Sequence, residues 1–120
     1  MRSSANMADE TLGDRIRRRR IELSLGLRAL AADLGVSPSY VSDIENDRRV
    51  PSEGVLKAIG TRLELDYDEI MALAGRFGEE TDRYLRRTPA AGALFRRLSE
   101  RGYSDDQVRK ILRQIEAEPE

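Results

Sequence analysis

The chain has 120 residues with no cysteine and no histidine, and its 21 basic and 22 acidic side chains leave a net charge of −1. The missing cysteines exclude disulfides, thiolate-ligated zinc and thiol chemistry, and the missing histidines remove the commonest general base and metal ligand. No constellation of Asp, Glu, Ser or Lys stands in for them, so an enzyme is not expected, nor is any cofactor or metal.

With two Phe, four Tyr and no Trp, the core must be built from Leu, Ile, Val and Ala, which favours an all-α fold. No apolar run approaches the roughly 20 residues needed to span a bilayer. The opening MRSSANMADE lacks the apolar stretch of a secretory signal, so a cytoplasmic protein is expected. The net charge alone argues against a nucleic-acid partner, but its distribution does not. Residues 11–63 carry ten positive and seven negative side chains, a net of +3, whereas residues 64–120 carry ten and thirteen, a net of −3. Such asymmetry is expected where one part of a chain meets phosphate. A generic, heavily charged surface gives the same numbers, so charge by itself does not decide.

Residues 1–10 are polar and unpatterned and are expected to fray as a disordered tail. Thr11, with Asp14 three residues on, caps a first helix whose inner face is Leu12, Ile16 and Leu23. Gly26 opens a short second helix with Leu27, Leu30, Ala31 and Leu34 inward, and Gly35 closes it in a left-handed conformation. Ser37 caps a third helix with Pro38 at its first position, where a missing N–H costs nothing. That helix runs to about Asn46 with Val41 and Ile44 inward. After the turn Asp47–Pro51, Ser52 starts a fourth helix carrying Val55, Leu56, Ile59 and Leu63. Asp66 to Glu69 has capping-box spacing, flanked by the staple Leu65 and Ile70, and the fifth helix should end near Gly75. No stretch alternates as a strand does.

Beyond Gly78 the pattern changes. Residues 79–87 read as a polar helix. Thr88-Pro89 starts another, with Leu94, Phe95 and Leu98 on one face and Gly102 closing it. Ser104 to Gln107 is a second capping box, stapled by Tyr103 and Val108, and its helix carries Val108, Ile111, Leu112 and Ile115. These short helices expose more apolar face than they can bury among themselves, so residues 79–120 are expected to dimerise or bind a partner, most simply as a homodimer.

The informative stretch is Leu27–Pro51, LRALAADLGVSPSYVSDIENDRRVP: a short helix, a Gly-Val-Ser turn and a second helix with apolar residues facing back. Leu30-Ala31, Leu34-Gly35-Val36-Ser37, Tyr40-Val41 and Ile44-Glu45-Asn46 stand in order, followed by Pro51-Ser52 and two further helices. Each feature is weak alone. Together, over about residues 11–75, they resemble the Xre/Cro family of bacterial helix-turn-helix transcription regulators, whose lambda-repressor-like domain has five helices.

The resemblance implies a regulator, most simply a repressor, that binds a palindromic double-stranded DNA operator as a dimer through its third helix. A helix about 10–12 Å across fits a major groove about 12 Å wide when its outer face carries short polar groups. That face reads as Pro38, Ser39, Ser42, Asp43 and Asp47. By family position Ser39, Ser42 and Asp43 read bases, with Pro38 able to touch a thymine methyl. Asp43 has a local alternative as a partner for Arg48 or Arg49. Tyr40 and Asn46 resemble phosphate contacts, with packing on the fourth helix the alternative for Tyr40. Arg20 and Glu45 match an ion pair that orients the third helix. Arg28, Arg48 and Arg49 flank that helix as phosphate candidates, and Arg15 and Arg19 of the basic run are assigned to phosphate as well.

Two departures weaken the expected affinity. Gly26-Leu27 replaces the family's common Ser-Gln, so only backbone N–H groups such as that of Leu27 meet phosphate there. Asp47 replaces a glycine after Glu-Asn, placing a charge where it opposes phosphate. The alternatives left open are an antitoxin-type autoregulator whose C-terminal region binds a regulatory protein partner, and a helical interaction module with a decayed DNA surface.

Overall fold

The computed structural model describes residues 10–120; apart from Glu10, the expected N-terminal tail lies outside the described residues. Among them are eight α-helices and no strand: α1 Leu12–Glu22, α2 Leu27–Leu34, α3 Pro38–Glu45, α4 Glu53–Leu63, α5 Tyr67–Leu73, α6 Glu79–Arg87, α7 Pro89–Glu100 and α8 Asp105–Ala117. They fall into two compact units, the first ending at Gly78 and the second spanning Glu79–Glu120.

In the first unit four of the five helices, all but α2, start at a side-chain cap. Thr11 and Asp14 form a reciprocal capping box on α1, and Ser37, Ser52 and Asp66 each accept a hydrogen bond from the backbone N–H three residues ahead. Asp66 caps α5 from one side only, because the Glu69 carboxylate turns to Arg15 instead of closing the box. The α2–α3 turn depends on Gly35 at φ 69°, which lets the Val36 amide reach back to the Ala31 carbonyl at 3.0 Å.

The inner faces then meet in one aliphatic core. Leu12 and Ile16 of α1, Leu30 and Ala31 of α2, Val41 and Ile44 of α3, Leu56, Ile59 and Leu63 of α4, and Leu65, Ile70 and Met71 around α5 are all buried. Each such large side chain stabilises the unit by about 1.5–3 kcal/mol. The α1–α3 crossing is close because position 13 is glycine. A Cβ there would lie 2.5 Å from the Glu45 carbonyl oxygen and 2.7 Å from that of Ile44, too near for any side chain.

The second unit is built differently. Acidic residues open α6 and Arg86 and Arg87 close it, matching the helix dipole, and Ser104 and Gln107 form a reciprocal capping box on α8. Thr88 precedes Pro89 as expected but makes no side-chain cap. None of its three helices has a buried residue. Local signals specify these helices; core burial does not.

Candidate nucleic-acid interface

The third helix is held from behind by Val41, Ile44 and Glu45, each no more than 2% exposed. Glu45 is the buried charge of the unit, and Arg20 neutralises it through two parallel bonds, Nε to Oε2 at 2.7 Å and Nη2 to Oε1 at 3.0 Å. The remaining nitrogen of Arg20 donates to the Leu25 carbonyl at 3.0 Å. The hydrogen bonds that Arg20 donates to Glu45 raise the Arg20 pKa above its ordinary value despite burial. A bidentate pair between α1 and α3 fixes distance and rotation together.

The outward face of α3 carries Ser39, exposed, with Pro38, Ser42 and Asp43 half-buried beside it. The Ser39 hydroxyl lies 3.2 Å from that of Ser37. Asp43 and Arg48 approach only to 3.9 Å, and the Arg48 side chain is well exposed. No large charged side chain is rooted on this face between Pro38 and Ser42.

Cations gather at the rims. Arg28, Arg48 and Arg49 are exposed, and the Arg49 guanidinium sits over the Tyr40 ring, 4.9 Å from its centroid. Tyr40 itself is half-buried and packs on the core. It thus serves both packing and the positioning of a cation. At the start of α2, Gly26 gives no side-chain cap. The Leu27 side chain packs toward the core, so only its backbone N–H is available for the role expected of it.

Three expectations are corrected. Arg15 and Arg19 are not at this face. The Arg15 side chain is 16% exposed, with its Nε 2.8 Å from Glu69, while Arg19 donates to the Leu63 carbonyl at 2.9 Å and approaches Glu64 at 3.3 Å. Arg19 is thereby a cation at the C-terminus of α4, where the helix dipole favours it. Arg18 is occupied likewise by Glu10 at 2.7 Å and 3.1 Å, a bond that holds the Glu10 carboxyl below its usual range.

Asn46 is the second correction. Its Nδ2 donates to the Ser42 carbonyl at 2.8 Å and the Ser42 hydroxyl at 3.3 Å, and its Oδ1 accepts from Arg17 at 3.1 Å. Its amide is thus engaged within the domain at both ends, where a phosphate contact was expected. The third is Asp47, which does not belong to the outer face. Its carboxylate turns into the start of α1, accepting from the Gly13 amide at 3.0 Å and the Thr11 hydroxyl at 2.7 Å.

Arg17 was not singled out by the sequence, although its spacing contained the signal. It lies three residues before Arg20, hence on the same helix face, and bridges Glu45 at 3.3 Å and Asn46 at 3.1 Å while staying 45% exposed. The expected dimerisation residues lie in the second unit. Leu94, Phe95, Val108, Leu112 and Ile115 are exposed, and Leu98 and Ile111 are partly covered.

Comparison with known proteins places the chain in a family. A family model described as a helix-turn-helix domain matches residues 11–73. The transcriptional regulator ClgR of Mycobacterium tuberculosis is 35% identical over 89 residues, covering 74% of this chain and 80% of ClgR. The HTH-type transcriptional repressor RghR of Bacillus subtilis is 35% identical over 71 residues, 58% of this chain and 53% of RghR. Among solved structures, the clp gene regulator ClgR of Corynebacterium glutamicum is 27% identical, covering 74% of this chain and 87% of its own, with a TM-score of 0.49. With the family match spanning over half of the chain, this protein belongs to the helix-turn-helix transcriptional regulators of the Xre type.

Proposed function

We propose that the protein binds a palindromic duplex operator as a homodimer and represses transcription there, with α3 in the major groove. The observation that carries this reading is the outward face of α3. Its short polar side chains Ser39, Ser42 and Asp43 lie on a helix locked from behind by Arg20 and Glu45 and are rimmed by Arg28, Arg48 and Arg49. Short groups allow close approach to base edges, while arginines at the rims neutralise phosphate and supply affinity without sequence information. RghR, a repressor by name, supports the direction of regulation.

The homodimer reading rests on the second unit. Leu94 and Phe95 of α7 and Leu112 and Ile115 of α8 are each about half exposed, and a second copy would cover them. Selection of bound fragments from random DNA with the full-length protein tests the reading. Two inverted half-sites about 34 Å apart are expected; recovery of no consensus would remove the operator-binding reading. Light scattering on residues 1–78, which retain the whole buried core, should give a monomer, and a dimer would move the interface out of residues 79–120.

A further inference from the structure

We propose that Asn46, held by Arg17, presents the Ser42 hydroxyl as a hydrogen-bond donor, so that α3 selects a base with a major-groove acceptor opposite Ser42. The inference rests on α3 being the reading helix and concerns what one of its side chains can read.

A free serine hydroxyl is ambiguous: it carries one proton and two lone pairs and rotates to suit its partner. Ser42 lacks that freedom. The Asn46 amide can be oriented only one way, because the Arg17 guanidinium on one side only donates and the Ser42 carbonyl on the other only accepts. Nδ2 therefore faces residue 42, donating to the carbonyl at 2.8 Å and to Oγ at 3.3 Å. A lone pair of Oγ is occupied, and no acceptor for its proton is found among the described residues. The proton is left for the groove.

The amide is itself anchored. Arg17 also reaches Glu45 at 3.3 Å, and Glu45 is buried and clamped by Arg20. A continuous chain of Arg20, Glu45, Arg17, Asn46 and Ser42 thus runs from α1 to the outward face of α3. Major-groove acceptors are purine N7, guanine O6 and thymine O4, whereas cytosine N4 and adenine N6 donate. A hydroxyl set as donor favours the first group, and its remaining lone pair makes this a bias rather than an absolute code. Asn46 is here a positioning residue; it reads nothing itself.

The test uses the full-length protein on its selected operator, at the base pair whose preference relaxes in Ser42→Ala. Analogues lacking one acceptor at that base pair (7-deazapurines, 2-aminopurine for guanine, 5-methyl-2-pyrimidinone for thymine) are compared with analogues lacking one donor (purine for adenine, 2-pyrimidinone for cytosine). The wild type should lose roughly five- to tenfold in affinity with an acceptor-deleted base, the size of one base contact, and nothing with a donor-deleted base. Asn46→Ala, which frees the hydroxyl to accept as well as donate, should bring an acceptor-bearing and a donor-bearing base at that pair closer in affinity while leaving the preferences at other base pairs intact, a pattern that uniform weakening or partial unfolding does not produce. Arg17→Met, which keeps Asn46 at the helix end, should shift that preference in the same direction. A donor-deletion penalty in the wild type, or an unchanged preference between acceptor and donor bases in both variants, overturns the proposal. If Ser42→Ala relaxes no position while operator preference persists, the assignment of Ser42 to the reading face is what fails, and this inference falls with it.

Discussion

The carboxylate of Asp47 accepts a hydrogen bond from the Gly13 amide at 3.0 Å, so a residue just beyond the end of α3 caps the beginning of α1. Two features make this contact possible. Asp47 adopts the left-handed region at φ 58°, which an aspartate tolerates better than most residues. Gly13 has no Cβ, so the backbone carbonyls of Ile44 and Glu45 can lie against it. A charge that by position alone would oppose phosphate is instead placed at a helix N-terminus, where the dipole favours it.

Three substitutions separate these effects. Asp47→Ala keeps a Cβ in the left-handed region and removes the cap, for about 0.5–2 kcal/mol. Asp47→Gly removes the same cap but relieves the left-handed cost of a Cβ, about 1–2 kcal/mol, so it should be the more stable of the two. Gly13→Ala forces α1 away from α3 and should destabilise by about 1–3 kcal/mol. Urea midpoints at constant slope report all three. An Asp47→Ala variant as stable as the wild type would show that the cap contributes nothing.

The buried pair behaves differently when one partner or both are removed. Arg20→Met leaves Glu45, 2% exposed, with only the longer Arg17 contact, and should destabilise by about 3–5 kcal/mol. Replacing both, Arg20→Met with Glu45→Met, removes the uncompensated charge, so stability should recover well above the sum of the singles. A double variant no more stable than Arg20→Met would mean that shape rather than charge is what the site requires.

Much of this was legible in the sequence because it is local. Thr11, Ser37, Ser52, Asp66 and Ser104 cap where short polar residues precede apolar periodicity, and Gly35 marks its turn, since capping and left-handed backbone depend on a few adjacent residues. The inward faces of α1 to α4 followed from the helical period, and the family resemblance located α3. What stayed hidden depends on pairs distant in the chain. Asp47 meets Gly13 across 34 positions and Arg17 meets Asn46 across 29, and neither contact follows from spacing before α1 and α3 are docked. The run Arg15–Arg20 was ambiguous for the same reason. Its arginines point around the helix to Glu69, Glu10, Glu64 and Glu45, and only the tertiary fold says which acidic residue waits at each angle.

The distribution of those arginines predicts a split in salt dependence. Arg48→Ala and Arg49→Ala should weaken binding to all DNA alike, and removing one arginine that neutralises a phosphate should reduce the log–log salt slope by about 0.9. Arg15→Ala and Arg19→Ala, whose guanidinium groups serve Glu69 and the end of α4, should lower the melting temperature and leave the slope unchanged. Titrations at several salt concentrations, beside melting curves, distinguish the two groups. A reduced slope for Arg15→Ala or Arg19→Ala would return these arginines to the DNA face.

Reading and holding are also separable on α3 itself. Ser39 and Ser42 face outward from a helix whose inner residues Val41 and Ile44 are 1% exposed. Ser39→Ala removes an exposed hydroxyl, and such changes usually stay within about 0.5 kcal/mol of the original stability. Ser42→Ala also frees one Asn46 proton, but that group is exposed to water, so its melting temperature should move little too. Both variants should bind the selected operator less well, since a base contact is typically worth about 1–3 kcal/mol. Neither should change binding to unrelated DNA, which rests on phosphate. Val41→Ala and Ile44→Ala should do the reverse, because truncating buried aliphatic residues lowers stability by roughly 1–5 kcal/mol. Their weaker binding should then be shared by every DNA and worsen with temperature as the unfolded fraction rises. The deciding quantity is the ratio of operator to non-specific affinity, measured for all four variants well below their melting temperatures. In that regime the Val41 and Ile44 variants should keep the wild-type ratio and the serine variants should lose part of it. If the serine variants keep the ratio intact, α3 does not read bases through these hydroxyls, whatever else it does at the groove.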